Sequence, residues 1–438
     1  MKVVMVGTGY VGLVSGACFA EFGANVTCVD KDLAKIESLN SGDIPIYEPG
    51  LDEIVKRNLD SGRLNFTSDL PKAVKDADLI FIAVGTPSRR GDGHADLKYV
   101  FAAAEEIASN ISGYTVIVNK STVPVGTAKK VKEIIQNTNP NLDFDIASNP
   151  EFLREGTALR DFMRPDRVII GVDSKKAEEF LKSLYRPLNL IETPILFTDL
   201  QSAELIKYAS NAFLATKISF INELSEISEK SGADIHDVAK GMGLDKRIGN
   251  KFLQVGPGYG GSCFPKDTLA LIQTFEDFGL ENRIVHSVVK TNSYQKERMV
   301  RKIISSLNGS ISGKIITVLG LTFKPETDDM RDAPSLTILP TLIDNGAKIR
   351  AHDPEGIKQA KQLLPGSIEY FSDIYQAVDD ADAIILMTEW NQYRGLDLEL
   401  LKRRLKGNTF IDLRNVYEPD EMKKSGFEYY CIGRGENF

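Results

Sequence analysis

One cysteine stands in a setting that suits a nucleophile. Cys263 lies in the segment GPGYGGSCFPKD (256–267), where Pro265, Lys266 and Asp267 are predicted to open a helix. A thiolate at such a place is stabilised by the helix N-terminus and by a nearby ammonium group. The segment also fits a small buried thiol in a glycine-rich turn, with Asp267 as the N-cap of the helix. The loop by itself leaves both interpretations open.

A second chemical pattern lies near the start of the chain. Residues 7–12 read GTGYVG, a G-x-G-x-x-G pattern, between a predicted strand and a predicted helix. Asp30 ends the next strand, 18 residues after Gly12, as a dinucleotide fold requires. Its carboxylate favours NAD over NADP, because it would bind ribose hydroxyls and repel a 2'-phosphate. The alternative interpretation of the whole pattern is a glycine turn in an unrelated α/β protein. The predicted cofactor residues of this turn are Gly7, Gly9, Tyr10, Val11, Gly12 and Asp30.

The hydrophobic pattern predicts the elements that position these residues. A strand at 2–6, a helix at 11–22 and a strand at 25–29 form a βαβ unit. Later strands alternate with helices, which indicates a mainly parallel, doubly wound sheet. These strands are predicted at 79–84, 115–118, 144–147 and 167–171.

The same order of elements recurs towards the end of the chain. The run AVKDADLIFI (73–82) returns as AVDDADAIIL (377–386), and each copy follows a strand that ends in aspartate, at Asp30 and at Asp353. The second copy lacks the glycine pattern. We therefore expect an α/β protein with two Rossmann-like doubly wound domains, joined by a long central helix (198–230) and a helical dimerisation region.

Composition and charge exclude several classes of protein. The 438 residues are 42% hydrophobic and 26% charged, which is typical of a folded globular protein of about three domains. The net charge of -8 gives no general attraction to nucleic acid or to an anionic membrane. Four scattered cysteines indicate a reducing, cytoplasmic setting. The uncharged stretch 3–20 is interrupted by glycines, so we do not expect a signal peptide. The sequence also shows no cluster of residues with the spacing of metal ligands.

Motifs over nearly the whole chain resemble those of the UDP-glucose/GDP-mannose dehydrogenase family. They are GTGYVGLVSGACFAEFG, DIPIYEPGL, AVGTP, NKSTVPVGT, NPEFLREG, ELIKYASNAFLATKISFINE, GGSCFPKD and GLTFKPETDDMRDAPS. The resemblance implies a four-electron dehydrogenase that oxidises the C6 alcohol of a nucleotide sugar to a carboxylate, with two NAD molecules and a cysteine. UDP-glucose is the expected substrate, and GDP-mannose or a UDP-N-acetylhexosamine is the alternative.

The resemblance also implies roles for individual residues. Cys263 would carry a thiohemiacetal and then a thioester. Lys207 and Asn211, four apart on one helix face, would stabilise the alkoxide and the tetrahedral oxyanion. Glu155 would act as the base for the hydrolytic water, with Thr122 and Asp267 orienting it or relaying protons. The predicted catalytic residues are Cys263, Lys207, Asn211, Asp267, Glu155, Thr122 and Glu151.

Three of these residues also have simple structural interpretations. Thr122 could cap a following helix, and Glu151 could complement a helix dipole. Lys207, on a mostly apolar helix, could extend its ammonium group to solvent. For each residue taken alone, the structural interpretation stays open. Only the resemblance to the family favours a catalytic role for all of them together.

The remaining binding residues are also implied by the resemblance. Arg247 resembles an arginine that the family donates across a dimer to the partner's substrate. Val255 and Lys246 stand where the family usually has proline, which weakens the identification of the sugar. The further cofactor residues are Lys35, Thr86, Thr122, Glu155, Lys266 and Arg331. The substrate residues are Glu151, Phe152, Leu153, Arg154, Glu155, Lys207, Asn211, Arg247, Phe252, Leu253, Gln254, Val255, Gly256, Gly260 and Lys324.

The predicted organisation has three parts. Residues 1–197 form an NAD-binding Rossmann-like domain, 198–300 a central helical dimerisation domain that carries the catalytic cysteine, and 301–438 a C-terminal Rossmann-like domain that binds the nucleotide sugar. We expect a homodimer or a higher homo-oligomer, with no nucleic acid or membrane partner. The rival functions are a two-electron 3-hydroxyacid dehydrogenase, which has no use for Cys263, and a non-catalytic sensor of NAD or a nucleotide sugar. The intact set of predicted catalytic residues speaks against the sensor: Glu155, Lys207, Asn211, Cys263 and Asp267.

Overall fold

The computed structural model describes residues 1–89 and 93–435. Within it the chain divides into two compact units. Unit 1 contains residues 1–210 and 269–280, and unit 2 contains residues 211–268 and 281–438. Each unit is built around one sheet of largely buried strands, and each is described separately.

The sheet of unit 1 has eight strands in the order β3-β2-β1-β4-β5-β6-β7-β8. Neighbouring strands are parallel except for β6 and β7, which are antiparallel. The first six follow the strand order of a dinucleotide-binding fold. The strands are β1 (Lys2–Val6), β2 (Asn25–Val29), β3 (Leu64–Thr67), β4 (Leu79–Ile82), β5 (Thr115–Asn119), β6 (Phe144–Ser148), β7 (Val168–Val172) and β8 (Ile195–Thr198).

Helices cover both faces of this sheet. Two separate hydrophobic clusters lie on its two sides, which explains why its central strands are almost entirely apolar. Several helices begin at a side chain that accepts a backbone N–H, as Ser174 does from Ala177. The helices are α1 (Tyr10–Glu21), α2 (Leu33–Asn40), α3 (Leu51–Asp60), α4 (Leu70–Val74), α5 (Lys98–Ala108), α6 (Thr127–Thr138), α7 (Ala158–Met163) and α8 (Lys175–Leu184).

A single long helix, α9 (Leu200–Ser231), runs from unit 1 into unit 2. Its 32 residues correspond to a length of about 48 Å at a rise of about 1.5 Å per residue. It is followed by α10 (Ile235–Gly243), α11 (Phe264–Asp277) and α12 (Ile284–Ser306). α11 begins one residue before Pro265, where the sequence predicts its start, and the carbonyl of Cys263 accepts the N–H of Asp267.

The sheet of unit 2 has six parallel strands in the order β11-β10-β9-β12-β13-β14. If β9 is taken as the first strand, this order matches that of the strands β1 to β6 in unit 1. The strands are β9 (Ile315–Leu319), β10 (Lys348–His352), β11 (Glu369–Tyr370), β12 (Ala383–Leu386), β13 (Thr409–Asp412) and β14 (Glu428–Cys431). The helices are α13 (Ser335–Asp344), α14 (Ile357–Leu363), α15 (Ile374–Val378), α16 (Leu398–Arg404) and α17 (Pro419–Lys424).

The predicted fold class is confirmed, with two Rossmann-like sheets and a long central helix. The predicted strands at 2–6 and 25–29 have the observed bounds of β1 and β2. In unit 1, the strands β3 and β8 were not predicted. Across the residues that the structure describes, no helix combines the length and the apolar character needed to cross a membrane.

Candidate active site

The turn between β1 and α1, together with the first turn of α1, contains three glycines with different surroundings. A Cβ on Gly7, where φ is +102°, would lie 2.6 Å from the carbonyl oxygen of Ala83. A Cβ on Gly12 would lie 1.9 Å from the carbonyl oxygen of Gly7, whereas a Cβ on Gly9 would meet no described atom within 4 Å. Gly7 and Gly12 therefore allow a tight turn, and Gly9 leaves space for a pyrophosphate at the N-terminus of α1.

Asp30, at the end of β2, is ionised and held by the same turn. Its carboxylate accepts hydrogen bonds from the N–H and the hydroxyl of Thr8, at 3.0 and 2.6 Å, and lies 3.2 Å from Nζ of Lys35. Burial raises the pKa of Asp30, but the hydrogen bonds from Thr8 and Asp32 and the charge of Lys35 outweigh it and lower the pKa to about 2. The open turn and this carboxylate fit the adenosine diphosphate half of NAD.

Thr86 and Thr122 follow neighbouring strands, β4 and β5, and lie in contact. The hydroxyl of Thr86 donates to the carbonyl oxygen of Thr122 at 3.0 Å, and both residues are buried. Thr122 is not a helix cap, because α6 begins at Thr127 with Gly126 at its N-cap. The capping interpretation of Thr122 is therefore wrong.

Glu151 and Lys207 form a buried ion pair in unit 1. Nζ of Lys207 lies 2.9 Å from Oε1 of Glu151, and the two side chains are only 3% and 5% exposed. The other carboxylate oxygen accepts the N–H of Leu153 at 2.6 Å. Lys207 does not extend to solvent, and Glu151 does not lie at a helix terminus, since α7 begins at Ala158. Both structural interpretations are wrong, and the ammonium group is held inside the protein by a carboxylate.

The segment around Glu151 contains most of the other predicted residues of unit 1. Phe152 lies under the guanidinium group of Arg167, with 3.8 Å between its ring centroid and Cζ of the arginine. Arg154 instead pairs with Asp161, at 2.5 Å between Nη2 and Oδ1. Glu155 is 9% exposed and precedes Gly156, whose φ of +78° favours glycine.

A buried lysine next to this segment was not singled out from the sequence. Lys120, in the motif NKSTVP, is 4% exposed, and its Nζ donates to Oδ1 of Asn149 at 3.0 Å and to the hydroxyl of Tyr185 at 3.4 Å. Burial lowers the pKa of Lys120 to about 7, with opposing contributions from the charges of Glu151 and Lys207. The sequence signal was a lysine directly after a fully buried strand.

Asp267 is the centre of a buried cluster in unit 2. Its Oδ2 accepts Nδ2 of Asn211 at 2.6 Å, and its Oδ1 lies 2.6 Å from Nζ of Lys266. The aspartate is 1% exposed and lies in the first turn of α11, which begins at Phe264. The N-cap interpretation of Asp267 is therefore wrong, and its carboxylate is held by an amide and an ammonium group.

Cys263 immediately precedes α11, at the end where backbone N–H groups are unpaired. It is partly exposed, whereas Cys18, Cys28 and Cys431 are buried, and all four are free thiols. Burial raises the pKa of Cys28 and of Cys431 to about 12, and that of Cys18 still further. Cys263 therefore has the environment of a reactive thiol and the other three do not.

The glycine-rich loop before Cys263 is tightly packed within unit 2. The N–H of Gly256 donates to Oδ1 of Asn222 at 2.9 Å, and its carbonyl accepts Nε2 of Gln295 at 2.8 Å. A Cβ on Gly260 would lie 2.4 Å from the carbonyl oxygen of Asp332. Leu253 and Val255 are buried, Phe252 is half-buried and Gln254 is exposed.

The three other cations predicted in unit 2 lie at separate places. The side chain of Arg247 is 89% exposed and pairs with Asp245 at 2.6 Å. Arg331 pairs with Asp329 at 2.8 Å, and its carbonyl accepts the N–H of Gly261. Lys324 lies over the ring of its neighbour Phe323. The roles of these residues stay predictions. Among the residues that the structure describes, no group of three or more His, Cys, Asp or Glu side chains is arranged to hold a metal ion.

Three family models match the chain in order. Residues 1–189 match the NAD binding domain of the UDP-glucose/GDP-mannose dehydrogenase family, residues 201–294 its central domain and residues 317–419 its UDP binding domain. The chain is also 56% identical over 436 residues to the UDP-glucose 6-dehydrogenase of Rhizobium meliloti (strain 1021), with 99% of this chain and 100% of that protein covered.

Solved structures are similar over the whole length. A UDP-glucose dehydrogenase from the hyperthermophilic archaeon Pyrobaculum islandicum superposes with a TM-score of 0.91 at 40% identity, covering 99% of this chain and 97% of that one. A UDP-D-ManNAc dehydrogenase from Pyrococcus horikoshii superposes with a TM-score of 0.86 at 26% identity, covering 99% of both chains.

Proposed function

Because the chain belongs to the UDP-glucose/GDP-mannose dehydrogenase family, we propose that it oxidises the C6 alcohol of UDP-glucose to the carboxylate of UDP-glucuronate. It is an NAD-dependent oxidoreductase, as predicted from its motifs. UDP-glucose is favoured as the substrate because a relative of 56% identity over the full length is named for that activity. We retain the three-part organisation into 1–197, 198–300 and 301–438 as part of the proposal.

One observation carries the proposed mechanism. Cys263 is the partly exposed thiol at the N-terminus of α11, and Asp267 is buried one turn later between Asn211 and Lys266. A two-electron dehydrogenase needs no nucleophile at the reacting carbon. An alcohol that becomes an acid passes through an aldehyde, and a thiol that adds to the aldehyde prepares it for a second hydride transfer.

The residues of the dinucleotide turn, with Asp30 and Lys35, are proposed to hold NAD. When bound, NAD supplies the hydride acceptor for both oxidation steps. Thr86, Thr122 and Arg331 are proposed to lie beside it. The buried ammonium of Lys207 and the amide of Asn211 are proposed to stabilise negative charge on the C6 oxygen.

The covalent steps are proposed to take place on Cys263. Its sulfur forms a bond to C6 of the aldehyde, and the carbonyl oxygen takes up a proton, which gives a thiohemiacetal. Loss of a hydride and a proton converts this adduct to a thioester. Water then adds to the thioester, the C–S bond breaks and the thiol is restored. Glu155 accepts a proton from that water, while Thr122 and Asp267 orient it or relay protons.

The stoichiometry of NADH tests this proposal. We expect about two NADH for each UDP-glucose consumed by the purified protein. Cys263→Ala should form no acid while it still binds NAD, and Cys431→Ala, a matched loss of a buried thiol, should keep the full stoichiometry. One NADH for each UDP-glucose, or normal UDP-glucuronate formation by Cys263→Ala, would contradict the mechanism.

A second substrate class shares this chemistry. The Pyrococcus horikoshii structure named for UDP-D-ManNAc is similar over the full length, so UDP-N-acetylhexosamines belong in the same assay, together with GDP-mannose. Substrate panels should give the highest kcat/KM for UDP-glucose. A higher kcat/KM for an N-acetylated sugar would change the substrate and leave the reaction type in place.

We also propose a homodimer or a higher homo-oligomer in the cytoplasm. Phe213, Phe220 and Ile227 are spaced seven apart on α9 and are 65%, 48% and 63% exposed, which gives unit 2 an apolar stripe along a helix. The exposed Arg247 is proposed to reach the substrate of the partner subunit. Light scattering should give at least twice the monomer mass, and Phe220→Glu should lower it.

A further inference from the structure

One motif has no role in the proposed mechanism. DIPIYEPGL lies between α2 and α3, and its acidic residue, Glu48, is only 6% exposed. Oε2 of Glu48 accepts the N–H of Gly156 at 2.7 Å and the hydroxyl of Tyr10. Oε1 lies 3.4 Å from the N–H of Leu159. A buried carboxylate is therefore satisfied by donors from two distant parts of unit 1.

Both donors have neighbours in the proposed chemistry. Tyr10 is the first residue of α1 and directly follows Gly9, the glycine that faces open space in the dinucleotide turn. Gly156 directly follows Glu155, and its N–H also lies 3.0 Å from the hydroxyl of Tyr10. Tyr10, Glu48 and Gly156 therefore form a closed, largely buried network of three members.

We propose that Glu48 is a positioning residue that fixes Glu155 relative to the dinucleotide turn. The inference rests on the proposed function, in which the turn holds NAD and Glu155 is the base for thioester hydrolysis. Glu48 acts through the hydroxyl of Tyr10 and through the backbone N–H of Gly156.

The protonation of Tyr10 supports a permanent link. Burial, the hydrogen bond to Glu48 and the charge of Glu155 all raise the pKa of Tyr10 far above its ordinary value. The phenol therefore stays a donor throughout the working pH range. Gly156 is the most flexible point of this segment. Its backbone has a φ of +78°, and a glycine can adopt other conformations once its N–H loses the acceptor oxygen of Glu48.

Loss of the link should slow the water-dependent step more than the oxidation steps. A displaced base costs rate in proportion to its misplacement, and a shift of about 1 Å can cost about a hundredfold. In Glu48→Ala we expect a rapid burst of NADH and then a steady-state rate lowered about tenfold or more, with a several-fold weaker NAD affinity. A residue that only stabilised the fold would lower the burst and steady-state rates together.

The experiment compares Glu48→Ala, Glu48→Gln, Tyr10→Phe and the Tyr10→Phe/Glu48→Ala double variant in the full-length protein. NADH formation is followed by stopped flow with UDP-glucose, NAD affinity by protein fluorescence, and unfolding by urea. Tyr10→Phe removes a single hydroxyl, so it tests the link even where Glu48→Ala fails to fold. Glu53→Ala, an exposed glutamate of α3, is the matched control and should behave as the unaltered protein.

The network predicts that the effects of Tyr10→Phe and Glu48→Ala are not additive, because both break the same link. Glu48→Gln retains an acceptor oxygen and should recover part of the steady-state rate. Additive effects, or burst and steady-state rates that fall by the same factor, would overturn the positioning role. If the unaltered protein forms no NADH from UDP-glucose, the proposed function fails, while NAD affinity and the Tyr10–Glu48 coupling still test the link.

Discussion

The two sheets have one strand order and place an aspartate at the same point, yet their first turns are built differently. In unit 1, α1 begins at Tyr10, four residues after β1 ends at Val6. In unit 2, β9 ends at Leu319 and α13 begins only at Ser335, sixteen residues later. The helix N-terminus that can bind a pyrophosphate thus directly follows the strand in unit 1 alone.

The two aspartates also differ in their burial and in the number of protein donors that they accept. Asp30 is half-buried and accepts hydrogen bonds from Thr8 and Asp32, whereas Asp353, at the end of β10, is 1% exposed. The donors to Asp353 are the N–H groups of Leu321, Thr322, Glu355 and Gly356, the hydroxyl of Thr322 and the indole N–H of Trp390. We therefore expect Asp353, which protein donors already occupy, to stabilise the fold, and Asp30, which has fewer protein donors, to be available to a ligand.

The largest effect should come from Asp353→Ala. Its buried donors would lose their acceptor, and each unsatisfied buried donor costs about 1 to 3 kcal/mol. We expect the free energy of unfolding to fall by about 3 kcal/mol or more, measured by urea titration. Asp353→Asn, which keeps one acceptor oxygen, should lose less. A loss of NAD affinity without a loss of stability would show that Asp353 binds a ligand after all.

Asp30→Ala should have the opposite profile. Hydrogen bonds to charged groups contribute about 1.5 to 3 kcal/mol, so we expect NAD affinity to fall about tenfold or more. The free energy of unfolding should change much less than in Asp353→Ala, because Asp30 is only half-buried. Fluorescence titration with NAD and urea unfolding measure the two quantities on the same samples. Equal losses of stability in Asp30→Ala and Asp353→Ala would contradict the proposed difference between the two aspartates.

The same variant should change the choice of cofactor. Removal of the Asp30 carboxylate leaves Lys35, now 3.2 Å from it, without its partner and available to a 2'-phosphate. The ratio of kcat/KM for NAD over NADP should therefore fall in Asp30→Ala. An unchanged ratio would show that another group selects against the 2'-phosphate.

The two sheets also differ in the cation that follows their equivalent strands β5 and β13. Lys120 follows β5 and has the neutral partners Asn149 and Tyr185. Arg414 follows β13, pairs with Glu389 at 3.0 Å and donates to the carbonyls of Met387 and Phe323. Among the described residues, the buried Lys120 thus has no carboxylate within hydrogen-bond distance, whereas Arg414 has one.

The last effect should be a slope rather than a single loss, namely a pH dependence of the unfolding free energy due to Lys120. Its folded pKa of about 7 lies below the ordinary value of 10.5, so the unfolded chain binds more protons between these values. Stability should therefore rise with pH above about 7, by at most about 1.4 kcal/mol per pH unit. Lys120→Met should lose this slope in urea unfolding between pH 6.5 and 9.5. Asn149→Asp, which supplies a charged partner, should flatten it as well, and a slope that persists in Lys120→Met would assign it to another group.

Much of the fold was predictable because its signals are local. A buried parallel strand is a short apolar run, and β1, β2, β4 and β5 were found close to their observed bounds. The edge strands β3 and β8 were missed for a physical reason. They lie at the two ends of the sheet and are partly exposed. β3 (LNFT) alternates apolar and polar residues, and the apolar run of β8 (ILFT) is short.

The site was predictable only where its signal lies within a short segment. Cys263, Lys266 and Asp267 lie within the single segment 263–267, and the sequence predicts the helix start there. Burial does not follow from a short segment, so the sequence leaves the alternatives for Thr122 and Lys207 open. The partners of Lys120 lie 29 and 65 residues away, and Gly156 lies 108 residues from Glu48. No spacing rule connects such positions.

The distribution of thiols has a practical consequence for chemical modification. Three of the four cysteines are buried and have raised pKa values, so at neutral pH they offer almost no thiolate to an electrophile. The folded chain should therefore take up a single maleimide or iodoacetamide per subunit, at Cys263. The protein can be labelled at one site without engineering, and a fluorophore there would report directly on the helix end that the proposed chemistry depends on.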